Sequence, residues 1–170
     1  MQGTLFSIFL FLHVGGAIMA FGPGFALPII ASMGGREPQH AAFAMRAIHA
    51  VGDRLVEPLA VFVGVTGVGL IWASGRNPLA QLWLLAAIVA YLVALGFALF
   101  AQRRRTKALI DALVSMPAGP PSGEPSDQAR PAGPPPHIAA LVRSLQQGGM
   151  LLTTLLVLIL ALMIFKPGAP

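Results

Sequence analysis

Apolar and polar positions divide the chain into four long apolar runs separated by short polar stretches. The first run, Thr4–Phe21, reads TLFSIFLFLHVGGAIMAF, and His13 is its only titratable side chain. A helix of this length reaches about 27 Å, close to the roughly 30 Å hydrocarbon core of a bilayer. Gly22-Pro23-Gly24 follows, then further apolar residues to Ala31. Proline removes a backbone donor and crowds the preceding turn, but neighbouring helices mend such a gap inside a membrane. The pattern therefore predicts a kinked first span over 4–31, with helix continuing to about Met33. No basic residue precedes the run and no small-x-small site follows a short apolar core, so it is expected to be retained rather than cleaved as a leader.

Gly34-Gly35-Arg36-Glu37-Pro38 reads as a turn. From Ala41 to Glu57, Phe43, Ala47, Ile48, Val51 and Leu55 recur at helical spacing, which predicts an amphipathic helix running on into a second span over 59–73. Pro58 falls near the water–lipid boundary of that long helix. Gly64, Gly67 and Gly69 make the second span thin, as at close membrane helix contacts. Ser74-Gly75-Arg76-Asn77-Pro78 is the next turn, and the third span, 79–100, carries no charge. Trp83, near its start, is expected to be an interfacial anchor. Beyond Arg103-Arg104-Arg105 and Lys107 the stripe Ala108, Leu109, Ala112 and Leu113 predicts continued helix. Residues 116–136 are rich in proline and glycine and predict a disordered linker. Helical spacing resumes at Ile138, Leu141, Val142 and Leu145 and leads into a fourth span, 150–165.

Composition agrees with this pattern. The chain is 56% hydrophobic and 10% charged, against about 25% charged residues in a soluble domain. The reading is an all-α membrane protein: a single four-transmembrane-helix bundle over 1–170 with cytoplasmic helix extensions. There is no cysteine, which excludes disulfides, thiolate metal sites and a cysteine nucleophile. Of the 11 Lys and Arg residues, only Arg76 and Lys166 lie on the side that also holds both termini. The other side holds Arg36, Arg46, Arg54, Arg103, Arg104, Arg105, Lys107, Arg130 and Arg143. By the positive-inside rule the loops 32–57 and 101–149 are cytoplasmic and both termini lie outside, in a multi-pass protein of a bacterial plasma membrane. The net charge of +5 then speaks of topology and lipid headgroups, and nucleic acid is not expected as a partner. The lipid bilayer is, together with a membrane protein partner or a second copy of the chain.

His13 carries the candidate chemistry. An ionisable residue inside a span is a site hypothesis by default. A neutral imidazole ligates haem iron or copper through one nitrogen while the other is held by a carbonyl or hydroxyl; the alternative is a structural histidine bonded across the bundle. Thr66, Tyr91, Thr153 and Thr154 fall near its depth, and Met19 and Met163 are soft side chains in reach of the same spans. Tyr91, Thr66 and Met19 therefore join His13 as candidate cofactor-binding residues. His49 lies roughly 20 Å away along the membrane normal if the helices are straight, a poor geometry for a bis-histidine haem. Arg46, His49, Asp53, Arg54 and Glu57 form a polar group at the cytoplasmic mouth, read either as a site for a propionate or phosphate or as a solvated face with internal ion pairs. His40 and His137 are expected to face water. No Asp, Glu, Lys or Arg lies in the centre of any span, which argues against a proton-coupled carrier or pump. Phosphate-binding glycine loops, zinc-helix motifs and nucleophile elbows are absent.

The segment His13-Val14-Gly15-Gly16-Ala17-Ile18-Met19-Ala20-Phe21-Gly22 resembles the opening of a family of small, uncharacterised bacterial integral membrane proteins, a domain of unknown function. Arg54-Leu55-Val56-Glu57-Pro58, Val65-Thr66-Gly67 and Leu162-Met163-Ile164-Phe165-Lys166-Pro167 are similar to it as well, so the likeness covers the chain apart from the linker. More distantly the chain resembles HemJ-type protoporphyrinogen oxidases and CopD-type copper-resistance membrane domains. That resemblance implies a haem-binding or metal-handling bundle with His13 as a ligand. Met19-Ala20 stand where the HemJ-type pattern has a tryptophan, so the oxidase activity is not implied. Three readings follow: a protein binding haem b through His13, which as an enzyme would be a haem-dependent membrane oxidoreductase; a non-enzymatic structural or accessory membrane subunit; and a copper-handling protein.

Overall fold

The computed structural model describes residues 2–116 and 135–168; the linker expected at 116–136 lies almost wholly outside the described residues. Four helical rods, Gly3–Arg36, Ala41–Ser74, Leu82–Val114 and Pro136–Phe165, are long and apolar enough to cross a membrane. At 34, 34, 33 and 30 residues, each is about 45–51 Å long and overshoots a roughly 30 Å hydrocarbon core. The rods alternate in direction, so one end of the bundle holds Gln2, Ser74, Leu82 and Phe165 (the terminal end). The other holds Arg36, Ala41, Val114 and Pro136 (the basic end).

Local chemistry divides the rods. The first consists of α1 (Gln2–Phe21), a 3-10 turn over Gly22–Phe25, and α2 (Leu27–Arg36). Pro23 and Pro28 bring no N–H into this stretch, yet the helical run continues to Arg36: the Ala26 amide donates to the Pro23 carbonyl at 2.9 Å and Ile30 to Ala26 at 3.1 Å. The second rod joins α3 (Ala41–Val51) to α4 (Glu57–Ser74) through a π-helical turn over Gly52–Val56. Gly75 ends it at φ +64, a left-handed conformation that costs a residue without a Cβ little. In the third rod α5 (Leu82–Gly96) passes through a second π-helical turn, Phe97–Gln102, into α6 (Arg103–Val114). Asn77 Oδ1 accepts from the Leu79 amide at 3.0 Å and sets up the turn before it. The fourth rod is the unbroken α7 (Pro136–Phe165).

Packing is inside-out relative to a water-soluble bundle. The buried residues are mostly small, with Ala20, Ala44, Ala60, Ala87 and Ala90 all in the core. Large apolar side chains such as Phe11, Ile18, Val68 and Leu92 point outward. Lipid is as apolar as leucine, so only close backbone approach distinguishes a neighbouring helix from solvent. α1 lies along α4 and α2 along α3, while α7 lies along α5 and α6. The two pairs join chiefly where α3 meets α6.

One expectation needs correction. Trp83 is buried, at 6% exposure, rather than facing the interface. It sits between α5 and the end of α7, with Lys166 Nζ 5.9 Å above its ring. Trp72, 71% exposed, is the outward-facing tryptophan. On α3 the packed position is Ala44, while Phe43 is exposed, as is Leu55 in the π-helical turn that follows. The helix turns its smallest residue to α2, because Gly34 and Ala44 let the two backbones approach closely.

Candidate functional site

His13 stands on the face of α1 that meets α4. α4 offers it a shallow notch, since Gly67 has no side chain: a Cβ there would lie 3.2 Å from His13 Cε1 and 3.5 Å from Nδ1. Gly16, one turn along α1, admits Phe62 and Val63 in the same way. Within the notch His13 Nδ1 lies 2.9 Å from the Val63 carbonyl oxygen and 3.3 Å from Thr66 Oγ1. The carbonyl can only accept, so Nδ1 carries the proton and donates. The Thr66 hydroxyl is engaged with its own helix, 3.0 Å from both the Phe62 and the Val63 carbonyls. A neutral ring held this way has its lone pair on Nε2, which makes no hydrogen bond among the described residues.

Tyr91 reaches α4 from α5. Its hydroxyl donates to the Ala60 carbonyl, and its ring lies over Gly64, where a Cβ would come within 3.1 Å of the hydroxyl oxygen. Two further side chains donate to backbone carbonyls of another rod: Gln102 Nε2 to Leu145 at 3.1 Å and Arg105 to Ser144 at 3.3 Å. A helical carbonyl has a second lone pair beyond the one used by the amide at i+4. At Val63 and Ala60 the residue at i+4 is a glycine, Gly67 and Gly64, against which the donor packs. On α7 the close approach is that of Gln102 to Gly148, three residues after its acceptor, while a Cβ on Gly149 would meet nothing within 4 Å. The sequence reading had marked Gly64, Gly67 and Gly69 as a thin face; it had not tied them to particular donors.

The basic end holds a second constellation. Arg103 donates to Asp53 Oδ2 at 2.9 Å and lies 3.6 Å from Glu57 Oε2, joining the third rod to the second. His49 Nδ1 stands 3.3 Å from the other oxygen of Asp53. All four side chains are partly exposed. Both π-helical turns adjoin this cluster, Gly52–Val56 containing Asp53 and Phe97–Gln102 ending just before Arg103. The sequence had grouped Asp53, Glu57 and His49 with Arg46 and Arg54, and had foreseen ion pairs internal to that helix. It missed Arg103, whose partners lie 50 and 46 positions away in the chain. Arg105 turns to the fourth rod, its guanidinium 5.3 Å from the Phe97 ring centroid.

The candidates are therefore not all brought together. His13 and Thr66 meet, whereas Tyr91 engages a different turn of α4 and Met19 is exposed on α1. His49 belongs to the basic end, and the exposed His40 pairs with Glu37 at 2.9 Å. Thr153 and Thr154 face outward, with Thr153 bonded to the Gly149 carbonyl of its own helix. Among the described residues no three His, Asp or Glu side chains are grouped to hold a metal ion.

Residues 7–167 match the family described as Predicted integral membrane protein (DUF2269). No curated protein and no solved structure matches the chain, so the HemJ-type and CopD-type resemblances gain nothing from those comparisons. The chain belongs to this family of predicted integral membrane proteins.

Proposed function

We propose that the protein is a non-enzymatic membrane subunit or scaffold, a four-span bundle of the bacterial plasma membrane in which His13 is an interhelical fastener. The observation that carries this reading is the bond from His13 Nδ1 to the Val63 carbonyl in the Gly67 notch. It gives the ring N–H of a polar side chain within a span its acceptor on another helix, as interhelical hydrogen bonds in membranes do. Nine of the 11 cationic residues favour the orientation with loops 32–57 and 101–149 in the cytoplasm and both termini outside. One domain over 1–170 completes the proposal.

A second reading has its own support. Ligating histidines donate one ring N–H to a carbonyl and bind metal with the other nitrogen, and Nδ1 of His13 makes such a bond. On this reading Nε2 binds the iron of haem b, Tyr91 hydroxyl or Met19 sulfur being available only after rearrangement, and copper would take the same nitrogen. A reduced-minus-oxidised absorption spectrum of protein produced with ample haem, beside His13→Ala and with metal analysis, separates the readings. The scaffold predicts a colourless, metal-free protein. A Soret band lost in His13→Ala would overturn it in favour of haem, and copper bound without such a band in favour of copper handling.

A further inference from the structure

The four cations Arg103, Arg104, Arg105 and Lys107 follow one another closely but do not share a task. Arg103 is held by Asp53 and Glu57, and Arg105 by the Ser144 carbonyl and the Phe97 ring. Arg104 and Lys107 are exposed, as is Arg54 on the neighbouring rod, and none of the three has an ion-pair partner among the described residues.

Helix geometry places these free cations together. The second and third rods run antiparallel and touch at Asp53 and Arg103. On a right-handed helix the next residue lies about 100° further round the axis. For two antiparallel helices facing each other at one pair of residues, the next residue on each turns to the same side of the seam. Arg54 and Arg104 therefore project from one face, with Lys107 a turn beyond Arg104 toward the basic end. Counted from Ser74 and Leu82, Arg54 and Arg104 lie about 30–33 Å along their rods, one hydrocarbon thickness from the terminal end.

The same face changes character toward the membrane. Phe100 precedes Arg104 by four residues, and Val61 follows Arg54 by seven, spacings that return to the same side of a helix. Both are exposed, Phe100 at 69%. The surface thus runs from apolar side chains to paired guanidinium groups at the depth where a lipid changes from acyl chain to phosphate. Asp111, the carboxylate further along this face of α6, stands about 10 Å beyond Arg104. We propose that Arg54 and Arg104, with Lys107 behind them, bind the phosphate of an anionic phospholipid whose acyl chain lies against Phe100 and Val61. The apolar half of the surface favours a lipid over a free phosphate, which has nothing to place there. The site is independent of His13 and of any cofactor.

Native mass spectrometry of the whole protein in neutral detergent, with equal amounts of phosphatidylglycerol and phosphatidylcholine, tests this. Wild type is expected to retain phosphatidylglycerol in preference. Arg54→Gln/Arg104→Gln should lower that preference by about tenfold or more, and each single variant by roughly fivefold, as expected for loss of cations near an anionic surface. Arg54→Lys/Arg104→Lys, which keeps both charges, should hold most of it, and Arg143→Gln on α7 should leave it unchanged. If the double glutamine variant aggregates, the single variants decide. Equal retention of the two lipids by wild type would overturn the proposal, as would a wild-type preference in the glutamine variants. Displacement of phosphatidylglycerol by an equal concentration of inorganic phosphate would assign the cations to a free anion instead.

Discussion

Where α1 crosses α4, the helices meet over glycines and share one neutral donor, His13. Where the second and third rods meet at the basic end, they are bridged by Arg103 reaching two carboxylates. The first contact is short and uncharged, made by removing side chains. The second is made by long, charged ones. The difference follows the solvent. Inside hydrocarbon no water competes for a hydrogen bond and an unpaired charge is costly, so close backbone packing with a few neutral bonds is the available glue. At the membrane boundary water reaches the side chains, and a partly exposed ion pair is tolerated although it contributes modestly.

The largest effect is expected where the neutral contact is forced apart. Gly67→Leu should push the His13 ring out of its notch and lower stability in mild detergent by about 2–3 kcal/mol, the range for overpacking a close contact. Thermal unfolding of the purified variant measures this, and a midpoint equal to wild type would mean that α1 and α4 are not held at this crossing.

Loss of the charged bridge should cost less. Arg103→Ala leaves Asp53 and Glu57 partly buried without their cation, and a loss of about 1–2 kcal/mol is expected after allowance for solvent screening. A double-mutant cycle with Asp53→Asn should show coupling that weakens as ionic strength rises. Coupling independent of salt would erase the proposed contrast between the two contacts.

His13→Ala should remove one hydrogen bond and part of a ring contact, lowering stability by about 1 kcal/mol with little salt dependence, since bonds between membrane helices average about 0.6 kcal/mol. The neighbouring pair Gly148 and Gly149 gives the finest test. A Cβ on Gly148 would collide with the Gln102 side chain, while one on Gly149 would meet nothing within 4 Å. Gly148→Ala is expected to destabilise the protein, whereas Gly149→Ala should be neutral or stabilise it by up to about 1 kcal/mol, the helix-propensity gain over glycine. Equal effects at the two positions would show that the approach of Gln102 does not depend on the missing side chain.

Much of the candidate chemistry was visible as residue types but not as partners. Thr66 could be matched to His13 because both fall at one depth, a quantity that counting along a helix supplies. The acceptor, the Val63 carbonyl, could not, since every residue has a carbonyl and only a missing side chain opens one. Arg103 was read as part of a basic run marking topology. Its neighbours share its charge, so nothing local separates the one that faces Asp53 from the one that is left exposed. Trp83 differs from its expected place for a related reason: tryptophan suits an interface and a helix contact alike.

The sequence by itself determined four apolar spans, the unequal distribution of charge between the two ends and the thin glycine face of the second span. These properties depend on composition and on distance along the chain, and both are local. The tertiary structure decided which face of each span turns inward, and with it the pairing of His13 with Val63, Tyr91 with Ala60 and Arg103 with Asp53. In water a helix reveals its inner face by polarity. In lipid the outer face is apolar as well, so hydrophobicity no longer distinguishes one rotation from another, and the choice falls to the fit of small residues against a particular neighbour.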